Sequence, residues 1–102
     1  MVPGNTSRVA VEVIAEEEVA GGWSHTVRIT RPGGQESTHT VRLAWVDHDH
    51  WSGGARAPSR VTEAVVQLLA SYEPILELPD RFDAATSRRW LPGIDDQLGR
   101  VL

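Results

Sequence analysis

The stretch that decides the fold is WSHTVRITRPGGQESTHTVRLAW, residues 23–45. Apolar and polar side chains alternate on both sides of a central Pro-Gly-Gly, and this period of two is typical of half-buried β-strands. The apolar residues lie at odd positions on both strands. They share one face of the sheet only if each pair of opposite residues has numbers that add up to an even number. Pairing Arg31 with Gln35 meets this condition and leaves a three-residue loop, Pro32-Gly33-Gly34. Such a loop favours a type I turn followed by one residue at positive φ, here Gly34. The sequence therefore predicts a hairpin of strands 23–31 and 37–46.

An earlier segment, residues 8–16, shows the same alternation. Its apolar residues again occupy odd positions, namely Val9, Val11, Val13 and Ala15. Glu16, at an even position, is therefore predicted to lie on the solvent-exposed face, which we call the wet face. The run Glu16-Glu17-Glu18 then predicts a solvated loop before the hairpin. Three such segments in succession indicate an antiparallel meander.

The second half of the chain is predicted to be helical. Apolar residues from Val61 to Tyr72 follow the i, i+3, i+4, i+7 spacing of one amphipathic helix, with Pro58 in its first turn and Pro74 after its end. A shorter helix is expected from an Asp83 N-cap through Trp90. The fold class is α+β, a three-stranded antiparallel meander with two helices packed on one face. We expect one domain over 7–98 and a flexible N-terminal tail over 1–6, with the last residues unassigned. The predicted core comprises Val11, Val13, Trp23, Val27, Ile29, Val41, Leu43, Trp45, Val65, Leu68, Leu69, Leu78, Phe82 and Trp90.

The composition limits the classes of function. The 102 residues allow one domain, and 40% hydrophobic with 24% charged residues is ordinary for a globular protein. The absence of cysteine excludes disulfides, thiolate nucleophiles and zinc-thiolate sites, and a net charge of −4 disfavours indiscriminate binding to polyanions. No apolar run is long enough to span a membrane, and the N-terminal residues do not resemble a secretion signal, so we expect a cytoplasmic protein.

The run Asp47-His48-Asp49-His50 places four potential metal ligands together. On a continuing strand, His48 and His50 would share a face and could chelate a divalent ion. If Asp47 instead caps a helical turn, with Val46 and Trp51 as a hydrophobic staple, the two imidazoles point in different directions. We favour the capped turn, and we expect neither a metal nor another cofactor.

Two further groups could carry a function. His25 and His39 face inward on adjacent strands and are diagonal neighbours, which makes them candidates for ligand binding, although a buried imidazole bonded to backbone or threonine is the more common arrangement. Arg8, Arg28 and Arg42 lie on the wet face, where they could contact RNA phosphates. Glutamates share that face and it has no aromatic residue for base stacking, so cross-strand ion pairs are the favoured interpretation.

The region from about Glu36 to Asp95 resembles a family of small bacterial proteins of unknown function. The resemblance rests mainly on residues that start or end helices, strands and turns. It therefore supports the fold and assigns no catalytic residue. The residues that carry it are His39 and Val41, Gly53-Gly54, Pro58, Glu73-Pro74, Phe82-Asp83 and Trp90-Leu91-Pro92. Ser37 and Ser59 depart from the family pattern, which has threonine and an acidic residue there.

Three functional hypotheses follow from the sequence. The first is a non-enzymatic module that binds a protein partner or a second copy of itself, because the meander leaves edge strands to be covered and the chain has four tryptophans. The second is an RNA-binding module that uses the arginine-bearing face. The third is a small metal-dependent enzyme that uses His48, His50 and the neighbouring carboxylates.

Overall fold

Three antiparallel strands form the first half of the fold in the computed structural model, which describes residues 9–72 and 77–102. They are β1 (Ala10–Val19), β2 (Gly22–Thr30) and β3 (Glu36–Ala44). In the β2–β3 register Thr30 pairs with Glu36 and Trp23 with Leu43, as the predicted pairing of Arg31 with Gln35 requires. The meander and its hairpin register are therefore confirmed.

The β2–β3 turn differs from the prediction in its type. Gly34 donates its N–H to the Arg31 carbonyl at 2.9 Å, which closes a four-residue turn. Gly33 has φ +95° and Gly34 has φ +89°. Because proline fixes a negative φ at Pro32, a positive φ at the next residue is the signature of a type II turn rather than type I. The loop therefore requires glycine at both positions, since both adopt a positive φ.

A β-bulge interrupts β1 and changes which of its side chains face the core. Val13 pairs with Val27, but Ala15 pairs with Thr26, so Ile14 is a surplus residue. Beyond the bulge, Glu16 lies opposite His25 and shares its face of the sheet. The strand also continues to Val19, so the prediction of a loop over Glu16-Glu17-Glu18 was wrong.

The chain turns from β3 directly into a helix, α1 (Trp45–Ser52), which is followed by α2 (Pro58–Ala70). Pro58 stands in the first turn of α2, as predicted, and the helix packs on the core face of β1, β2 and β3. Helix α1 begins two residues before Asp47, with Ala44 as its N-cap. The expected staple is therefore absent, and Val46 is 72% exposed.

The last quarter of the described chain holds more structure than the sequence indicated. A short strand, β4 (Arg81–Asp83), pairs with β3 in parallel and makes the sheet four-stranded and mixed, in the order β1-β2-β3-β4. Asp83 then caps a 3-10 turn over Ala84–Thr86 by accepting from the Ala85 N–H at 3.0 Å. Helices α3 (Ser87–Trp90) and α4 (Ile94–Val101) follow. The described residues thus form an α+β fold with four strands and four helices, of which the prediction gave three and two.

The core lies between the sheet and α2, with α4 closing one side. Most predicted core residues are buried or pack against the buried set. Trp45 is the exception at 54% exposed, because β3 ends one residue before it. Trp51 is buried instead, and α4 contributes Ile94 and Leu98. The predicted tail over 1–6, the start of the predicted domain and the Glu73-Pro74 motif lie outside the described residues.

Candidate functional site

A hydrogen-bonded chain of three polar side chains leads from the surface at β1 into the core. His25 is fully buried, and its Nε2 lies 2.9 Å from Glu16 Oε1. Its Nδ1 lies 2.7 Å from the hydroxyl of Thr62 on α2. The bulge at Ile14 is what makes this arrangement possible, because it turns Glu16 to the face on which His25 lies.

The order carboxylate–imidazole–hydroxyl is that of nucleophilic triads, but burial argues against this use here. Because a carboxylate only accepts, His25 Nε2–H donates to Glu16. Thr62 can then donate its hydroxyl proton to Nδ1 of the neutral imidazole. The Thr62 side chain, however, is fully buried, and a substrate has no access to its oxygen. The buried imidazole and hydroxyl satisfy each other, as buried polar groups in proteins generally do, and the Glu16 carboxylate, whose side chain is 43% exposed, holds the second ring nitrogen at the surface.

His39 belongs to a separate set of hydrogen bonds. Its Nδ1 lies 2.7 Å from the Pro79 carbonyl oxygen, so Nδ1 carries the proton and donates. Its Nε2 lies 2.8 Å from the Ser37 hydroxyl, which in turn accepts from Arg31 Nη1 at 2.8 Å. The ring also packs edge-on against Phe82. These bonds fix the segment before β4 against β3.

The two inward histidines are diagonal neighbours but do not form a common site. His25 pairs with Val41 across the hairpin, and His39 pairs with Val27. Both ring nitrogens of each imidazole already have a hydrogen-bond partner. The structure therefore places them as predicted and gives each its own structural partners.

The Asp47-His48-Asp49-His50 run lies on α1, where its members diverge. His48 Nε2 lies 2.6 Å from the Arg56 carbonyl oxygen, and its ring packs edge-on against Trp23. His50 and Asp49 are exposed, whereas Asp47 is buried. No group of three potential ligands converges on a metal-sized space in the part of the chain that the structure describes.

Asp47 belongs instead to a charged network that joins three helices. Arg88 on α3 donates from Nη1 to Asp47 at 3.0 Å and from Nε to Asp95 at 3.1 Å. Its guanidinium also lies 4.6 Å from the ring centroid of Trp51, whose indole N–H donates to Asp95 at 2.5 Å. Sequence reasoning missed this network.

The network sets one guanidinium between two carboxylates. Burial disfavours the charged form of Arg88, but the hydrogen bonds that it donates to Asp47 and Asp95, together with the attraction of both carboxylates, outweigh burial and raise the pKa of its guanidinium. The indole hydrogen bond from Trp51 is the main cause that lowers the pKa of Asp95, against partial burial and with help from Arg88. Both groups are charged at neutral pH, and the network stabilises the docking of α3 and α4.

Arg28 and Arg42, which the sequence placed on the outer sheet face, have partners on the protein. Arg28 donates to Glu12 at 2.6 Å, and Arg42 donates to the Ala20 carbonyl at 2.9 Å and to Asp83 at 3.4 Å. Arg8 lies outside the described residues. Sequence reasoning also missed Arg81, which β4 adds to this face beside Thr40. The apolar Phe82 between polar neighbours is the only signal of β4, and three residues are too few to show a period.

Two surface features of the described residues bear on partner binding. Strand β1 pairs with β2 on one side, and no described residue pairs with its other edge. Trp45 and Val46 are exposed at the start of α1, where the Trp45 N–H donates to the Gly21 carbonyl at 2.9 Å. That bond places the exposed pair beside the turn at which β1 ends.

No protein-family model, curated protein or solved structure matches the chain. The resemblance to small bacterial proteins therefore remains an expectation. Within the described ranges, no helix is long and apolar enough to cross a membrane. The site itself is the remaining basis for a functional assignment, and its exposed parts are the β1 edge, the Trp45-Val46 pair and the outer sheet face.

Proposed function

We propose that this protein is a small interaction module, without catalytic machinery, that binds an extended segment of a protein partner along the free edge of β1. The observation that carries this proposal is the edge itself. At ten residues β1 is the longest described strand, and it stands at the end of the sheet order. A row of unpaired backbone N–H and C=O groups is the surface that β-augmentation uses.

The edge is held in place from below, which favours binding without rearrangement. Helix α2 packs against β1, and Gln67 on that helix donates to the Val9 carbonyl at 2.9 Å. Within the strand, the Glu16–His25 bond ties the segment after the bulge to β2. A preorganised strand loses little conformational entropy when a partner strand adds to it.

The charge of the edge indicates the chemistry of the partner. β1 carries four acidic residues, Glu12, Glu16, Glu17 and Glu18, and no basic one. A partner strand with arginine or lysine at alternating positions would complement them, because cross-strand pairs of opposite charge stabilise a sheet. The same glutamates also protect a free edge from indiscriminate aggregation.

Self-association through this edge is less favourable than a basic partner. In an antiparallel pairing of two copies that overlaps at least nine of the ten residues, Glu12 lies opposite Glu16, Glu17 or Glu18 of the second copy, depending on the register. In a parallel in-register pairing, every glutamate faces its own copy. Like charges directly opposite one another destabilise a sheet, so we favour a different protein over a homo-oligomer at this edge.

The exposed apolar pair would extend the same surface. Trp45 is 54% exposed and lies beside the turn where β1 ends. Tryptophan is enriched among the residues that dominate binding energy at interfaces. Because β2 lies between the free edge of β1 and the end of β3 that Trp45 follows, a partner that engages both features continues past the β1–β2 turn.

The two alternatives have weaker support. For RNA binding, Arg28 and Arg42 would have to leave Glu12 and Asp83 before they could contact phosphates. For a metal-dependent enzyme, His48 and His50 would need a further ligand that converges with them, and the described residues offer none.

The test uses a synthetic peptide as long as β1 with alternating arginine and valine, and a glutamate–valine peptide as its counterpart. Amide hydrogen exchange should slow along β1 when the basic peptide is added, and not when the acidic peptide is added. Glu18→Arg should weaken this binding several-fold, because it places a like charge against the peptide. Trp45→Ala should weaken it as well if the apolar pair takes part.

The matched control is Glu36→Arg, an exposed glutamate at the start of β3 that changes the net charge equally. It should leave binding unchanged. The proposal fails if the basic peptide protects no β1 amide, or if Glu36→Arg weakens binding as much as Glu18→Arg does. A dimer by size-exclusion chromatography with light scattering, lost on Trp45→Ala and not on Glu18→Arg, would point to self-association through the apolar pair.

A further inference from the structure

The outer face of the sheet carries a depression of about 550 Å³ beside the β1–β2 turn. Its polar lining consists of Ser24, Thr40, Arg42, Arg81 and Asp83, and Val19 and Ala20 form an apolar wall. We call this feature the outer depression. It lies on the opposite face of the sheet from the core, because its strand residues alternate with buried ones. Its volume is within the range of small-molecule binding sites.

The two arginines of the outer depression differ in how they are held. Arg42 is fixed by the Ala20 carbonyl and by Asp83, and these two bonds use only two of the five N–H donors of its guanidinium. Arg81 is exposed, and no hydrogen bond or ion pair to another described residue engages its guanidinium. In the β3–β4 register Arg81 lies beside Thr40, and Arg42 beside Asp83. The site therefore combines a fixed cation with a free one.

Donors outnumber acceptors in the outer depression. The hydroxyls of Ser24 and Thr40 can donate, as can the remaining N–H groups of both arginines. Asp83 is the one carboxylate in the lining, and both of its oxygens already accept, one from the Ala85 N–H and one from Arg42. Two guanidiniums against one carboxylate leave a net positive charge and a surplus of donors, which is the chemistry of an anion site.

We propose that the outer depression binds the phosphate group of a small molecule, with Arg81 and Arg42 as its cationic contacts. A guanidinium fork matches two oxygens of a phosphate, and arginines on two neighbouring strands can engage a tetrahedral group from two sides. The hydroxyls of Ser24 and Thr40 supply further donors. Its polar residues lie on β2, β3 and β4, whereas β1 contributes only Val19 of the apolar wall.

A small ligand fits the surroundings better than a nucleic acid does. Along the rest of the outer face Arg28 is neutralised by Glu12, and Glu17 stands opposite Ser24 at the border of the depression. These carboxylates would repel the backbone of a polyanion, whereas a single phosphate group can remain within the outer depression. Glu17 also limits the affinity for the small ligand.

The experiment is a heteronuclear NMR titration of the full chain with ribose 5-phosphate, inorganic phosphate, ribose and a single-stranded RNA. Ribose 5-phosphate should cause saturable amide shifts confined to the outer depression, and ribose should cause none. If inorganic phosphate produces the same shifts at similar concentration, the phosphate group alone is recognised. If it binds more weakly, the ester is the preferred form, and both results support the site.

Variants separate this site from general attraction by positive charge. Arg81→Gln should weaken ribose 5-phosphate binding about tenfold, since it removes a charge-assisted contact. Arg89→Gln removes the same charge from an exposed position on α3 and should have no effect. Glu17→Gln should tighten binding. The proposal is overturned if no saturable shift occurs, if Arg89→Gln weakens binding as much as Arg81→Gln, or if RNA alone binds and shifts amides along the whole face.

Discussion

Replacing Arg88 by methionine tests whether the charged network holds the C-terminal helices to the rest of the fold. The change keeps most of the length of the side chain but removes its bonds to Asp47 and Asp95. Asp47 then keeps a carboxylate that is only 10% exposed and has lost its ion-pair partner. Removing one partner of a fully buried pair costs about 3–5 kcal/mol. Because the Arg88 side chain is 33% exposed, we expect the lower value of about 2–3 kcal/mol.

This loss should be measured by urea denaturation, followed by tryptophan fluorescence, since Trp51 lies within the network. For a chain of this length it corresponds to a decrease in Tm of about 10–20 °C. The matched control is Arg89→Met, because Arg89 is exposed and neighbours Arg88 in the chain. Adding Asp47→Asn to Arg88→Met should recover about 1 kcal/mol or more, because the buried group is then neutral. If Arg88→Met and Arg89→Met differ by less than about 0.5 kcal/mol, the network does not stabilise the fold in this way.

Four further substitutions test other positions. Because the folded-state pKa of Asp95 is lowered, its stabilisation is present above the unfolded value of about 3.9 and is lost as the pH falls through the folded value. Asp95→Asn should therefore be less stable than the wild type at pH 7, and urea titrations at decreasing pH should show the difference shrinking below about 3.9. Thr62→Val should lower the free energy of unfolding by about 1–3 kcal/mol, because it leaves His25 Nδ1 buried without a partner. Equal stability of the variant and the wild type would contradict this hydrogen bond. Gly22→Ala should destabilise the fold strongly, since the added Cβ would lie 2.1 Å from a backbone carbonyl oxygen of β3. Gly99→Ala lies in an open part of α4, where the added methyl group meets no atom, and it should raise the stability measured in thermal melts by about 0.5–1 kcal/mol.

The hairpin and its register were predictable from sequence because two independent signals agree. The alternation of Val27 and Ile29 with polar residues sets the parity, and the Pro32-Gly33-Gly34 loop sets the turn. The main helix was predictable for a similar reason, since its apolar spacing and its Pro58 start coincide. The sequence pattern is most reliable where local chemistry and packing require the same residues.

The bulge at Ile14 was not predictable from a period of two, because a surplus residue changes the parity without changing the composition. It moved Glu16 from the predicted wet face to His25. One signal existed in the sequence, since an inward His25 needs hydrogen-bond partners and Glu16 lies on the neighbouring strand.

The missed parts of the C-terminal region have different causes. Helix α4 did leave a pattern, because Ile94, Leu98 and Val101 follow i, i+4, i+7, but Gly99 and its position at the chain end obscure it. The Arg88–Asp47 pair left none, since its members are 41 residues apart and meet only through tertiary packing. The outer depression likewise depends on β4, which is too short to show a period.

Because Ile14 has no partner on β2, the strand can lose this one residue without a change of register. Deleting Ile14 would join Val13 directly to Ala15. Every other residue of β1 would keep its present face of the sheet and its present partner on β2. A one-residue deletion elsewhere in a regular strand inverts all that follows it. Shortening the chain at Ile14 should therefore give a straighter ribbon that still delivers Glu16 to the imidazole.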